Sequence, residues 1–197
     1  MTAATHVRPV PPLATGREPA WWGMTLLIAT EAALFAYLLF SYFYVGSMAR
    51  GGWPPGRPPE LTLTLPNTFV LLASSVTMWW AESGIRGGNT RRLTLGLAVT
   101  IVLGAAFLAI QGVEYSHARF TPRTDAHGSL FYIVTGFHGA HVLVGLLILA
   151  FVLARALRGH FRPDRRVAVT VAGMYWHFVD LVWLAVFTSL YLAPRLA

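Results

Sequence analysis

The stretch WGMTLLIATEAALFAYLLFSYFYV, from Trp22 to Val45, runs for 24 residues with one charged side chain, Glu31. At ~1.5 Å per residue, a helix of this length crosses the ~30 Å hydrocarbon core of a bilayer. In lipid, a spanning segment must satisfy its own backbone, which leaves a helix as the solution for an isolated stretch of this kind. Four further segments read the same way, at about Pro66–Ile85, Leu93–Tyr115, Gly128–Leu157 and Val167–Leu192. The expectation is an all-α, polytopic bundle of five transmembrane helices over residues 22–194, preceded by a tail over residues 1–21.

Composition agrees. The chain has 197 residues, 55% of them hydrophobic and 12% charged, with a mean hydropathy of +0.56. Soluble domains carry about 25% charged residues, so an ordinary soluble enzyme is excluded, and no length is left over for one. There is no Cys, which removes disulfides, thiolate metal sites and cysteine nucleophiles. The tail contains Pro9, Pro11, Pro12 and Pro19 and no apolar run, so it does not read as a signal peptide. The longest connection, residues 46–65, holds Gly51-Gly52-Trp53-Pro54-Pro55-Gly56 and cannot continue a helix.

The net charge of +7 comes from Arg alone. A basic excess can mark a nucleic-acid binder, but hydropathy argues against that partner. In a membrane protein the excess orients the chain. Arg8, Arg17, Arg86, Arg91, Arg92, Arg155, Arg158, Arg162, Arg165 and Arg166 fall on one side, and Arg50, Arg57, Arg119, Arg123 and Arg195 on the other. The ten-to-five split places the N-terminus in the cytoplasm and the C-terminus outside. Trp21-Trp22 and Trp79-Trp80 then lie at the inner interface, and Tyr42, Tyr44 and Tyr191 at the outer one.

Ionisable side chains at membrane depth are costly and mark function or paired packing. Glu31, His138, His141, His177 and Asp180 fall near the midplane of three helices, and Glu114 near the outer end of a fourth, with His117 beyond it. His138 and His141 are spaced i, i+3 and share a face, as do His177 and Asp180, and Glu114 and His117. The two His could ligate a metal or haem, or hydrogen-bond between helices. His177 and Asp180 read as a local pair, Asp180 orienting the ring. Glu31 has no cation on its own helix and reads as a proton relay, a group facing lipid or a partner chain, or a silent buried acid. The rows Gly96, Thr100, Gly104 and Gly136, Ala140 read as close-packing faces.

Taken together, the segments resemble subunit III of the haem-copper respiratory oxidases, most closely its cytochrome c oxidase branch. The resemblance rests on Gly23-Met24-Thr25 through Glu31; Gly52-Trp53-Pro54-Pro55; Pro66-Asn67-Thr68 with Leu71-Leu72-Ala73-Ser74-Ser75-Val76-Thr77; Glu114-Tyr115 with Phe120-Thr121; Gly128-Ser129 with Thr135-Gly136-Phe137-His138-Gly139-Ala140-His141-Val142; and Tyr175-Trp176-His177-Phe178-Val179-Asp180-Leu181-Val182-Trp183. It spans about Trp22 to Pro194. The full-length family has seven helices, and this chain is similar to the five-helix form that lacks the first two. Glu82-Ser83 stands where the family often has paired His, and Thr170 where it often has Glu.

The resemblance implies an accessory subunit in a bacterial inner membrane, without haem or copper of its own. Those cofactors would sit in the catalytic subunit I and in subunit II, with a small subunit IV as a further partner. It implies structural phospholipid, support of proton uptake near Glu31, and protection of the oxygen-reducing centre during turnover. The equivalent subunit of a ubiquinol oxidase and an accessory protein of nitric oxide reductase are the near alternatives. A free-standing proton or ion transporter is a distant one, because neither inverted repeats nor broken helices are visible. A membrane cytochrome ligated by His138 and His141 is another.

Overall fold

The computed structural model describes residues 19–50, 52–55, 59–118 and 120–196. Arg8, Arg17, Arg57 and Arg119 lie outside the described residues, as does all of the tail but its last three residues. The described residues form five long helices: α1 (Pro19–Met48), α2 (Leu61–Arg86), α3 (Thr90–His117), α4 (Ala126–Leu157) and α5 (Val167–Phe187). α5 continues through a π-helical stretch, Thr188–Leu192, into a last turn, Ala193–Leu196. All five spans are long and apolar enough to cross a membrane, with 18-residue windows averaging hydropathies from 1.4 to 2.5.

Two of the helices start on a side-chain cap. Asn89 caps α3 by accepting from the backbone N–H of Arg92 at 2.9 Å. Asp125 caps α4 by accepting from Gly128 N–H at 2.7 Å. Both side chains take up a donor that the helix start leaves free. Gly88 turns the chain between α2 and α3 at φ +77°, a conformation that a side chain disfavours. The second span begins five residues earlier than its sequence reading. Pro66 lies inside α2, one turn beyond the start where proline is best tolerated.

α5 is the central helix and packs against α1, α2 and α4; α3 closes the bundle against α2 and α4. Lipid tails are as apolar as leucine, so helix association rests on close packing and hydrogen bonds rather than on hydrophobicity. Both are visible. A Cβ on Gly96 would lie 2.6 Å from Ala81 Cβ, so that glycine lets α3 approach α2. A Cβ on Gly104 would lie 2.6 Å from the ring of Trp176. The row Gly96, Thr100, Gly104 is therefore a packing face. The row Gly136, Ala140 is not one within this chain, since nothing lies within 4 Å of a Cβ on Gly136 and both residues are exposed.

A polar seam ties α2, α3 and α5 together. Trp176 Nε1 donates to Ser74 Oγ at 3.0 Å, and Trp183 Nε1 to Thr68 Oγ1 at 3.0 Å. Thr77 and Thr100 share a hydrogen bond of 2.7 Å, and Asn67 Nδ2 donates to the Phe107 carbonyl at 3.1 Å. Of the tyrosines assigned to the outer aromatic belt, Tyr44 is exposed. Tyr42 and Tyr191 are instead buried, at 1% and 0% exposure. Tyr42 packs on Trp53 and His127, and Tyr191 on Phe187 and Phe131.

Candidate functional site

α1 contributes Glu31 and α4 contributes His141, and the two meet. His141 Nε2 lies 3.0 Å from Glu31 Oε2, with both side chains mostly buried. The other ring nitrogen, Nδ1, lies 2.7 Å from the Phe137 carbonyl one turn back. A carbonyl only accepts, so Nδ1 carries the proton and donates. The Nε2–Oε2 contact then needs one further proton, held either by the carboxyl or by the imidazole. In both forms the pair is neutral as a unit, which is how two ionisable groups reside at this depth. Phe35 closes one side with its ring edge-on to His141 at 5.0 Å. Tyr175 Oη donates to the His141 carbonyl at 3.3 Å and ties the site to α5. The sequence lacked a cation for Glu31 on its own helix, and its partner lies 110 residues along the chain.

His138 and His141 do not act together. His138 is buried against Trp183, whose ring centroid lies 4.9 Å away, with Phe107 edge-on at 5.8 Å. Neither of its nitrogens has a hydrogen-bond partner among the described residues. The shared face of the i, i+3 pair is thus split, His141 towards α1 and His138 towards α3 and α5. Among the described residues, no three His, Asp or Glu side chains converge as metal ligands would.

His177 and Asp180 are joined, but through a third residue. Ser75 Oγ on α2 lies 2.9 Å from His177 Nδ1 and donates to Asp180 Oδ2. One hydroxyl can accept from the imidazole N–H and donate to the carboxylate, giving a chain from His177 through Ser75 to Asp180. The local pair expected from the sequence is therefore an interhelical bridge. Ser75 was part of a quoted motif but gave no sign of this role, because only the fold brings it to α5. Asp180 Oδ1 is buried without a partner among the described residues.

Glu114 receives a hydrogen bond from Tyr191 Oη at 2.7 Å. His117, on the same face, is exposed and makes no such contact among the described residues. Both line a cleft of about 290 Å³ at the end of the bundle, with Glu60, Tyr115 and Phe120 on its walls. Arg195 donates to the Tyr191 and Pro59 carbonyls, fastening the end of the last helix to the start of α2.

The site is thus a set of interhelical polar contacts at membrane depth, centred on Glu31–His141 and Ser75–His177–Asp180. Comparison with known proteins gives these contacts a setting. Residues 14–194 match the family described as cytochrome c oxidase subunit III. The subunit 3 protein of Gallus gallus is 40% identical over 178 residues, covering 86% of this chain and 68% of that protein. That of Scyliorhinus canicula is 40% identical over 189 residues, covering 92% and 71%. That of Papio hamadryas is 42% identical over 178 residues, covering 86% and 68%.

Proposed function

The chain belongs to the cytochrome c oxidase subunit III family, and from that membership we propose that Glu31, paired with His141, is the element through which it supports proton uptake by its oxidase. As a member of the family, the chain is an accessory, non-catalytic subunit of a terminal oxidase, associated with other oxidase subunits and without a redox centre of its own. The finer reading is ours. Haem and copper sit in catalytic subunit I and in subunit II, a small subunit IV is a further partner, and the chain binds structural phospholipid. The membrane is the inner membrane of a bacterium. The Arg-rich ends of α2 and α4 face the cytoplasm with the tail over residues 1–21, and residues 22–194 form the transmembrane domain.

One observation carries this reading: the 3.0 Å contact between Glu31 and His141. With one proton shared across the contact, the pair has the same net charge whichever partner carries it, so a proton passing between Glu31 Oε2 and His141 Nε2 would place no net charge in the bilayer. Glu114, His177 and Asp180 are read as polar contacts that hold the helices in register, and His138 as a buried side chain packed between Phe107 and Trp183. The test is turnover of the purified oxidase carrying Glu31→Gln. The amide can donate to His141 Nε2 and preserve the contact, but it cannot give up a proton. The expected result is normal assembly with slower proton uptake or a shorter active lifetime. Unchanged turnover and lifetime would overturn the reading, and failure to assemble would assign Glu31 to packing.

A further inference from the structure

α5 is covered by α1, α2 and α4 on all but one face. The uncovered face is a stripe of Thr170, Met174, His177, Leu181 and Leu184, recurring in alternate steps of four and three. Leu181 is 66% exposed. Steps of four and three follow one seam of a helix and form the pattern that interlocks with a second helix crossing at a shallow angle.

The stripe is polar at Thr170 at its end and at His177 in its middle, and apolar at Met174, Leu181 and Leu184. His177 lies ten residues from the start of α5, so ~15 Å from that end of the span. Its Nδ1 is engaged by Ser75, while its Nε2 has no partner among the described residues and is not enclosed by them. Glu31 and His141 satisfy each other at a similar depth, whereas His177 Nε2 is left open. Acyl chains offer no hydrogen-bonding group, and headgroups lie too far away to reach the bilayer middle.

A second polar group lies in the same groove, towards the Arg86 end. Glu82 of α2 sets its carboxylate against Gly173 of α5, where a Cβ would collide with Oε1. Glu82 is only half-buried, no hydrogen bond among the described residues takes its carboxylate, and its charged neighbour is Arg86, one turn on in the same helix.

We propose that the groove between α2 and α5 seats a transmembrane helix of another oxidase subunit, which hydrogen-bonds His177 Nε2 at mid-depth. The stripe supplies the packing for that helix, His177 fixes its height, and Glu82 with Arg86 marks the polar end of the groove. The inference rests on the chain being an accessory subunit, but it fails separately from the Glu31 reading.

The test uses the whole oxidase, purified in mild detergent, with a photoreactive benzoylphenylalanine at Leu181 or at Leu147, which is exposed on α4. Leu181 is expected to cross-link to a transmembrane segment of another oxidase subunit, identified by mass spectrometry, and Leu147 to lipid. Cross-linking of Leu181 only to lipid, or to a second copy of this chain, overturns the proposal. In parallel, His177→Leu should speed loss of the chain during detergent washing by about tenfold, while His177→Gln, which keeps a hydrogen-bonding end, should not. Equal loss with both variants overturns the hydrogen bond. If the chain co-purifies with no oxidase subunit at all, the accessory role itself falls. If it co-purifies intact and Leu181 meets only lipid, only this groove assignment falls.

Discussion

Glu31 and Asp180 illustrate how a single acid behaves once its partners are known. Both lie at membrane depth, and each is held by a group from a different helix: Glu31 by His141 and Asp180 by Ser75. Replacing Glu31 by Leu should strand His141 Nε2 and cost about 1–3 kcal/mol, whereas Glu31→Gln should cost little. Thermal unfolding of the isolated chain in detergent checks this, and equal melting temperatures for the two variants would contradict the pairing. Asp180→Leu should lower the melting temperature by removing the acceptor of Ser75, and Ser75→Ala should reproduce most of that loss. If the two losses add in the double variant instead of overlapping, the residues do not form one network. The sequence placed these acids and histidines near the middle of long apolar helices, because that position follows from counting residues along a helix. It could not pair them, because i, i+3 spacing describes only one helix, and both acids found partners on another.

At the scale of the helix, existence and order were readable from apolar length, and all five spans stand where that length put them. Ends were harder. The sequence reading put the start of the second span at about Pro66, while the helix begins at Leu61. Small-residue rows were readable only as candidates: Gly96 meets Ala81 across α2–α3, but Gly136 meets nothing. That contrast gives a prediction. Gly96→Val should force α2 and α3 apart and destabilise the chain by about 1–3 kcal/mol. Gly136→Ala should leave its melting temperature within error of the parent. Tyrosines near helix ends were likewise misread, because an aromatic belt and a buried aromatic cluster share the same sequence signature. Tyr42 and Tyr191 belong to the cluster.

For the whole molecule, Arg placement predicts orientation, and the absence of Cys makes orientation easy to read. A single Cys at His160, between α4 and α5, should react with a membrane-impermeant maleimide only after the cells are permeabilised. One at Thr124, between α3 and α4, should react in intact cells. The reverse pattern would invert the assigned topology. Several of its polar groups join one helix to another. As a member of the subunit III family it works within an oxidase, and Glu31–His141 is the place where that assembly is proposed to use a proton. The most direct measurement is turnover of the complete oxidase with Glu31→Gln beside the parent, at equal haem content. The account predicts equal assembly, with slower proton uptake or faster inactivation in the variant. Identical proton uptake and identical lifetime would contradict it.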